Sequence, residues 1–234
     1  MKIALLGYGR MGKAIEQIAI DRGHTVVAKI DKLNSEGELS DADVAINFSI
    51  PDAAVENIKA ALDFKIPVVC GTTGWLDKLS QVEKYCEEQD SAFLYASNFS
   101  IGVNLFFKLN EDLAKLMKSH KSYAAEMKEI HHIHKLDAPS GTAITLAEGV
   151  FKETDYNAWT IEEAKNQKTL PIVVERTGEV PGTHAIKYKS KIDSITIEHE
   201  AHSREGFALG AVVSAEWIQN KKGIFSMKDV LNIG

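Results

Sequence analysis

The chain has 234 residues, 44% apolar and 26% charged, with a formal net charge of −6. That length can bury a core in one large or two modest domains without staples, and the acidic balance excludes a non-specific nucleic-acid binder, which needs a basic face. Only Cys70 and Cys86 are present, no apolar run could span a bilayer, and the first apolar run meets Gly and Arg too early for a signal peptide, so a reducing cytoplasm is the expected compartment.

Residues 2–7, KIALLG, read as a short buried strand ending in glycine. The next segment, to Gly23, repeats Met11, Ile15, Ile18 and Ala19 at helical spacing. HTVVAKID (24–31) and ADVAINFS (42–49) are strands, and KLNSEGELSD between them is a short polar loop. A helix is expected over 51–65, with Pro51 at its start and Ala54, Ile58, Ala61 and Leu62 on one side. IPVVCGTTG is a fourth strand, LDKLSQVEKYCEEQ a helix and SAFLYASNFS a fifth strand. This alternation predicts a parallel sheet covered on both faces.

Gly7, Gly9 and Gly12 form a G-x-G-x-x-G between the first strand and its helix. Glycine at these positions permits a tight turn, close approach of backbone to a pyrophosphate, and tight helix–strand packing. The helix start then offers N–H groups to the phosphates. Asp31 lies where the adenosine ribose hydroxyls are usually bound. Lys32 beside it can neutralise a 2′-phosphate, so the pair predicts tolerance of NADH and NADPH unless the lysine is merely solvated. Gly71-Thr72-Thr73-Gly74 and Ala96-Ser97-Asn98-Phe99-Ser100 follow the fourth and fifth strands, on the edge where open α/β sheets bind ligands.

After Asn98 the alternation stops. Residues 101–118 predict a long amphipathic helix with Val103, Phe106, Phe107, Leu113, Leu116 and Met117 inward. YAAEMKEIHH (123–132) is strand-like, TAITLAEGVFKE helical, and TLPIVVERTG, GTHAIKYK and DSITIEHEAHS add alternating strands. The closing segment, AVVSAEWIQNKKGIFSMKDVL, reads as helical. The expected fold is therefore α/β: a Rossmann-like domain over 1–101 plus 206–234, and an α+β substrate and oligomerisation domain over 102–205. A sheet with one exposed face suits an oligomer interface.

The segment 129–143, EIHHIHKLDAPSGTA, concentrates chemistry. A zinc site is disfavoured, because adjacent strand residues His131 and His132 point to opposite faces and no cysteine is near. Acid–base chemistry fits better: histidine titrates near neutrality and Lys135 supplies a donor that also complements a carboxylate. Ser140, Gly141 and Thr142 open a helix whose N–H groups and hydroxyl suit an anion. A small carboxylate substrate, reduced by a nicotinamide bound in the first domain, is the expectation.

GYGRMG, GTTG, SNFSIGVN, the EIHHIHKLDAPSGTA block and EHEAHSREGFALGA together resemble the dihydrodipicolinate (4-hydroxy-tetrahydrodipicolinate) reductase family, from Lys2 to the C-terminus. The resemblance implies NAD(P)H-dependent reduction of 4-hydroxy-tetrahydrodipicolinate in the diaminopimelate route to lysine, with loss of water, by a cytoplasmic homotetramer that uses neither membrane nor nucleic acid. It implies His131 as the acid/base histidine and Lys135 as the proton donor. Which of the two delivers the proton stays open. His132 and the Gly141–Thr142 amides would hold substrate carboxylates. Gly7, Tyr8, Gly9, Arg10, Met11, Gly12, Asp31, Lys32, Gly71, Thr72, Thr73, Ala96, Ser97, Asn98 and Phe99 would line the cofactor site. The loop after Lys32 is shorter than in many family members. A hinge is expected near Ser100 and Arg204.

Overall fold

The structure, a computed structural model, describes every residue except Leu33 and Arg204. The chain divides into two units, one formed by Met1–Ile101 with Glu205–Gly234 and the other by Gly102–Arg204. The hinge expected near Ser100 and Arg204, and the polar loop through Leu33, thus fall partly outside the described residues.

In chain order the first unit opens with β1 (Lys2–Leu6), α1 (Arg10–Asp21), β2 (Thr25–Ile30), β3 (Val44–Asn47), α2 (Pro51–Asp63), β4 (Val68–Cys70), α3 (Leu79–Glu88) and β5 (Ala92–Tyr95). A 3-10 turn, Leu39–Asp41, precedes β3. The central strands are apolar on both sides, as expected for a sheet sandwiched between helices. Each helix turns one apolar stripe inward: Ala54, Ile58, Ala61 and Leu62 of α2 are fully buried.

The second unit begins with α4 (Ile101–Met117) and β6 (Ala124–His131), followed by α5 (Gly141–Glu153), β7 (Ala158–Thr160), β8 (Thr169–Arg176), β9 (Gly182–Lys189) and β10 (Ser194–Ala201). Its mixed sheet runs β10-β9-β6-β8-β7, antiparallel from β10 to β6 and parallel from β6 to β7. Phe106 and Leu113 of α4 and Leu146 and Val150 of α5 pack on Met127, Ile172 and Ile186 of the sheet. Truncating one of these to alanine costs about 2–5 kcal/mol. Leu116, expected inward, is 71% exposed. Its place on the buried stripe is taken by Asn110, whose Nδ2 donates to Leu146 O at 2.9 Å.

The chain then returns to the first unit with α6 (Glu205–Ile218), β11 (Gly223–Phe225) and α7 (Met227–Leu231). Glu205, placed with the second domain on sequence grounds, opens α6. The closing segment is not one helix: Asn220 (φ 60°) and Gly223 (φ 114°) break it. Residues 223–225 then pair in parallel with Ala92–Leu94 of β5. Free backbone groups at that sheet edge are satisfied at the cost of helical continuity. The finished sheet runs β11-β5-β4-β3-β1-β2, all parallel. Ala208, Ala211, Val212 and Ala215 of α6 complete its core.

Candidate active site

Because all six strands of the first unit are parallel, their carboxyl ends share one edge. The strand order reverses between β1 and β3, where such sheets bind ligands. Gly7 sits there at φ 94°, and a Cβ on it would lie 2.4 Å from Phe48 O. A Cβ on Gly12 would meet Gly7 O at 2.5 Å. Only glycine lets the loop lie this close to β3 and to the first turn of α1. Asp31 Oδ2 accepts from Tyr8 N at 3.1 Å and Oδ1 from Lys32 N at 2.7 Å. The carboxylate thus holds the loop while keeping lone pairs for ribose hydroxyls. Tyr8 donates to Glu16, Lys29 pairs with Glu16 at 2.7 Å, and Lys29 Nζ lies 4.7 Å from the Tyr8 ring centroid. Glu16 and Lys29 were missed in the sequence. A cleft of about 690 Å³ is lined by Gly7, Tyr8, Gly9, Asp31 and Lys32, together with residues of the β3–α2 turn.

The other predicted cofactor residues divide. Arg10, Gly9, Thr73 and Ser97 are exposed at the same edge. Met11 and Ala96 pack partly against the core. Gly71 presses on the Phe48 ring, which a Cβ would meet at 2.2 Å. Thr72 is buried: its Oγ1 accepts from Ser49 N at 2.9 Å and donates to Asn47 O at 3.4 Å. Asn98 Oδ1 accepts from Ser100 N at 2.9 Å. Phe99 sends its ring into the core, 5.5 Å from the Phe48 ring, so only its backbone faces the edge.

In the second unit, period-two alternation puts Ala125, Met127, Glu129 and His131 on the helix-covered face of β6. Glu129 stands opposite His184 of β9, and His131 opposite Arg176 of β8. Sequence reasoning missed Glu129, Arg176 and His184, although each continues an apolar every-second-residue pattern into the site. Glu129 is fully buried. Its Oε1 accepts from Arg176 Nη2 at 2.8 Å and its Oε2 from Ser140 N at 2.9 Å. His131 Nδ1 lies 3.3 Å from Pro181 O, and its Nε2 3.3 Å from His184 Nε2. His184 Nε2 is also 3.0 Å from Ser140 Oγ.

Ser140 is the N-cap of α5, its Oγ accepting from Ala143 N at 3.2 Å. Its amide and hydroxyl are therefore engaged inside the protein. Gly141, exposed, and Thr142, half-buried, form the first turn of the helix, where backbone N–H groups have no partner within the helix. Lys135 Nζ lies 2.8 Å from both carboxylate oxygens of Asp137. Arg176 Nη2 also donates to Asp137 O at 2.6 Å, so one guanidinium ties the buried carboxylate to the loop that carries Lys135. His132, half-buried, directly follows β6, with its ring 6.0 Å from that of His134.

Burial raises the Glu129 carboxyl, but the Ser140 and Arg176 hydrogen bonds outweigh it and hold the group below its usual range. Burial lowers His131, with Lys135 and Arg176 adding to the effect against Glu129. His184 is pushed down to about 4, first by burial and then by His131. Asp137 is lowered by its hydrogen bond from Lys135.

Ligand atoms of Glu129, His131 and His184 lie within 4.8 Å of one another, a trio the adjacent-histidine argument against metal did not consider. Both Glu129 oxygens already accept from Arg176 and Ser140, which leaves the carboxylate poorly placed to take a cation as well.

A Rossmann-like parallel sheet joined to a mixed-sheet unit defines the class: a nicotinamide-dependent oxidoreductase. The chain belongs to the dihydrodipicolinate reductase family. The family models for "Dihydrodipicolinate reductase, N-terminus" and "Dihydrodipicolinate reductase, C-terminus" match residues 1–99 and 102–231. The chain is 52% identical to the 4-hydroxy-tetrahydrodipicolinate reductase of Christiangramia forsetii, covering 99% of this chain and 98% of that one. A dipicolinate-bound dihydrodipicolinate reductase from a Paenisporosarcina species shares the fold, with TM-score 0.80, 22% identity and 97% of each chain covered. A probable dehydrogenase from Thermotoga maritima is more distant, with TM-score 0.61 and 12% identity over 100% of this chain and 93% of that one. The enzyme reduces 4-hydroxy-tetrahydrodipicolinate to tetrahydrodipicolinate, with loss of water, in the diaminopimelate pathway of lysine biosynthesis.

Proposed function

We propose that Lys135, rather than His131, delivers the proton in this reduction. One observation carries the assignment: both ring nitrogens of His131 face protein atoms, Pro181 O and His184 Nε2. Lys135 is the cation of the block that stands on the loop, and it pairs with Asp137, a side chain a substrate carboxylate can displace. The net reaction takes one hydride and one proton into the substrate ring and releases one water. The nicotinamide supplies the hydride. Gly7, Gly9 and Gly12 hold the pyrophosphate against the start of α1, with Arg10, Met11 and Tyr8 shaping the turn. Asp31 accepts from the ribose, while Gly71 to Thr73 and Ala96 to Phe99 border the nicotinamide end.

The substrate is a dicarboxylate. Gly141 and Thr142 offer helix-start amides to one carboxylate, and His132 with Lys135 complements the other. Ser140 sets that helix start without touching substrate. Lys32 beside Asp31 admits both NADH and NADPH. The protein works in the cytoplasm as a homotetramer joined through the outer face of the mixed sheet, where Val173 is 53% exposed. No helix among the described residues is long and apolar enough to cross a membrane.

The test is nicotinamide absorbance on mixing enzyme, NADH or NADPH, and freshly made 4-hydroxy-tetrahydrodipicolinate. Lys135→Ala should lose about 10²–10⁴-fold in kcat and still bind cofactor. Full activity of Lys135→Ala alongside an inactive His131→Ala would reverse the assignment.

A further inference from the structure

The mixed-sheet unit holds a buried histidine that the reaction as described does not use. His184 lies on β9, 4% exposed, and no substrate group need touch it. Its Nε2 is nonetheless the common neighbour of His131 Nε2 at 3.3 Å, Ser140 Oγ at 3.0 Å and Glu129 Oε2 at 3.8 Å.

The hydrogen-bond directions follow from the partners. Pro181 O can only accept, so His131 carries its proton on Nδ1 and presents a lone pair at Nε2. His184 must then carry its proton on Nε2, where it donates to His131 and to Ser140 Oγ. Ser140 also donates its backbone N–H to Glu129 Oε2 at 2.9 Å, which Arg176 fixes from the other side. The chain of donors has one direction, and His184 heads it.

We propose that His184 is a positioning residue for the reduction: by donating from Nε2 it keeps His131 in a single neutral tautomer and couples that ring to the helix start that grips the substrate. This rests on a supporting part for His131 in a reduction whose proton Lys135 delivers. A proton on His131 Nε2 would face the Nε2–H of His184, so protonation of His131 is opposed at the point where it would otherwise occur. The charged and titratable groups around the pair are Glu129 on β6, Lys135 on the following loop, Arg176 on β8 and His199 on β10.

The test uses the full-length enzyme with His184→Leu and His184→Gln, each alone and combined with His131→Ala. Leucine removes the donor, whereas the glutamine amide can place an N–H near Nε2. His184→Leu should lower kcat about tenfold to a hundredfold with cofactor affinity unchanged. It should also move the acid limb of kcat/KM to higher pH, because the freed lone pair on His131 takes up a proton sooner. His184→Gln should recover most of the rate and restore the limb. In the His131→Ala background, His184→Leu should add little further loss.

An equal loss in both backgrounds, or glutamine no better than leucine, would show a merely structural residue and overturn the proposal. A wild-type rate for His131→Ala would sink the underlying reading of His131 and the coupling with it. A normal rate for His184→Leu beside a slow His131→Ala would sink the coupling alone. Nitrogen-15 NMR of histidine in the wild type reads the tautomer directly, whatever the variants do. Nδ1–H on His131 supports the proposal, and Nε2–H overturns it.

Discussion

Glu129 and His184 stand directly opposite each other in the β6–β9 register, with Oε2 and Nε2 3.8 Å apart, yet they are not an ion pair. Burial pushes His184 down to about 4, so near neutral pH it is uncharged beside an ionised Glu129. The positive partner of the carboxylate is Arg176, at 2.8 Å. Charge balance in this core comes from β8, and polarity from β9.

That arrangement gives the stability a pH dependence with a definite sign. An unfolded histidine binds its proton near pH 6.5, whereas folded His184 does so only near 4, so the unfolded state holds the extra proton between those values. Stability should therefore rise with pH through that window and level off above it, by an amount on the order of 3 kcal/mol. His131, also lowered by burial, works in the same direction. Glu129, held below its usual range, contributes stability that is lost as pH falls through its folded carboxyl. Urea unfolding midpoints from pH 4 to 8 measure the curve, and a flat profile would contradict it. His184→Gln should flatten it.

Arg176→Met should be far worse for stability than its partly exposed position suggests. It strands a carboxylate with no exposed surface, and breaking a buried pair from one side costs about 3–5 kcal/mol. The double variant Glu129→Gln/Arg176→Met should be more stable than Arg176→Met alone. Chemical denaturation of the three proteins decides it.

Gly7→Ala should weaken binding of reduced nicotinamide dinucleotide by tenfold or more, about 1.4 kcal/mol per factor of ten. Its Cβ would lie 2.4 Å from a backbone oxygen, and φ 94° is strained for any side chain. Neither the Phe48 carbonyl nor the turn can give way without moving β3. Cofactor fluorescence titration tests this, and unchanged affinity would mean the loop does not hold the pyrophosphate.

Lys32→Ala should cost NADPH more than NADH. The lysine side chain is exposed beside Asp31, so its contact with a 2′-phosphate is partly screened and worth about 1 kcal/mol. The ratio of the two kcat/KM values should shift about fivefold towards NADH. Equal losses for both cofactors would show that the lysine does not discriminate.

Val173→Arg places a second cation opposite Lys128, its register partner on β6, on the outer face of the mixed sheet. Light scattering after size exclusion should show a tetramer for the wild type and a smaller species for the variant. A monomeric wild type would remove this face from consideration.

The sequence made the parallel-sheet unit legible because its signals are local. KIALLG, the glycines and Asp31 fall within one strand–helix–strand stretch, and apolar runs bounded by glycine are hard to misread. The strand β11 escaped because three residues, Gly223–Phe225, carry no periodicity of their own and become a strand only against the edge of β5. Leu116 was misassigned and Asn110 overlooked because a polar side chain satisfied by Leu146 O is invisible to a hydrophobic pattern. In the site, the histidine–lysine block stood out by composition, whereas Glu129, Arg176 and His184 are brought together by register across three strands. Their trace was the alternation itself: Ala125-Met127-Glu129-His131 and His184-Ile186-Tyr188 put charge or imidazole at positions reserved for the core.

The parallel sheet is closed by β11 and covered by α6, both drawn from beyond the mixed-sheet unit. During synthesis, the first 101 residues therefore emerge with an unprotected edge at β5 and a core face without its helix. The inserted unit, continuous in the chain, has all its strands and both helices available before that edge is filled. The inserted unit can thus fold while the parallel sheet is still waiting for α6 and β11. Any early stop within residues 205–225 leaves the parallel sheet without its edge strand or the helix that completes its core.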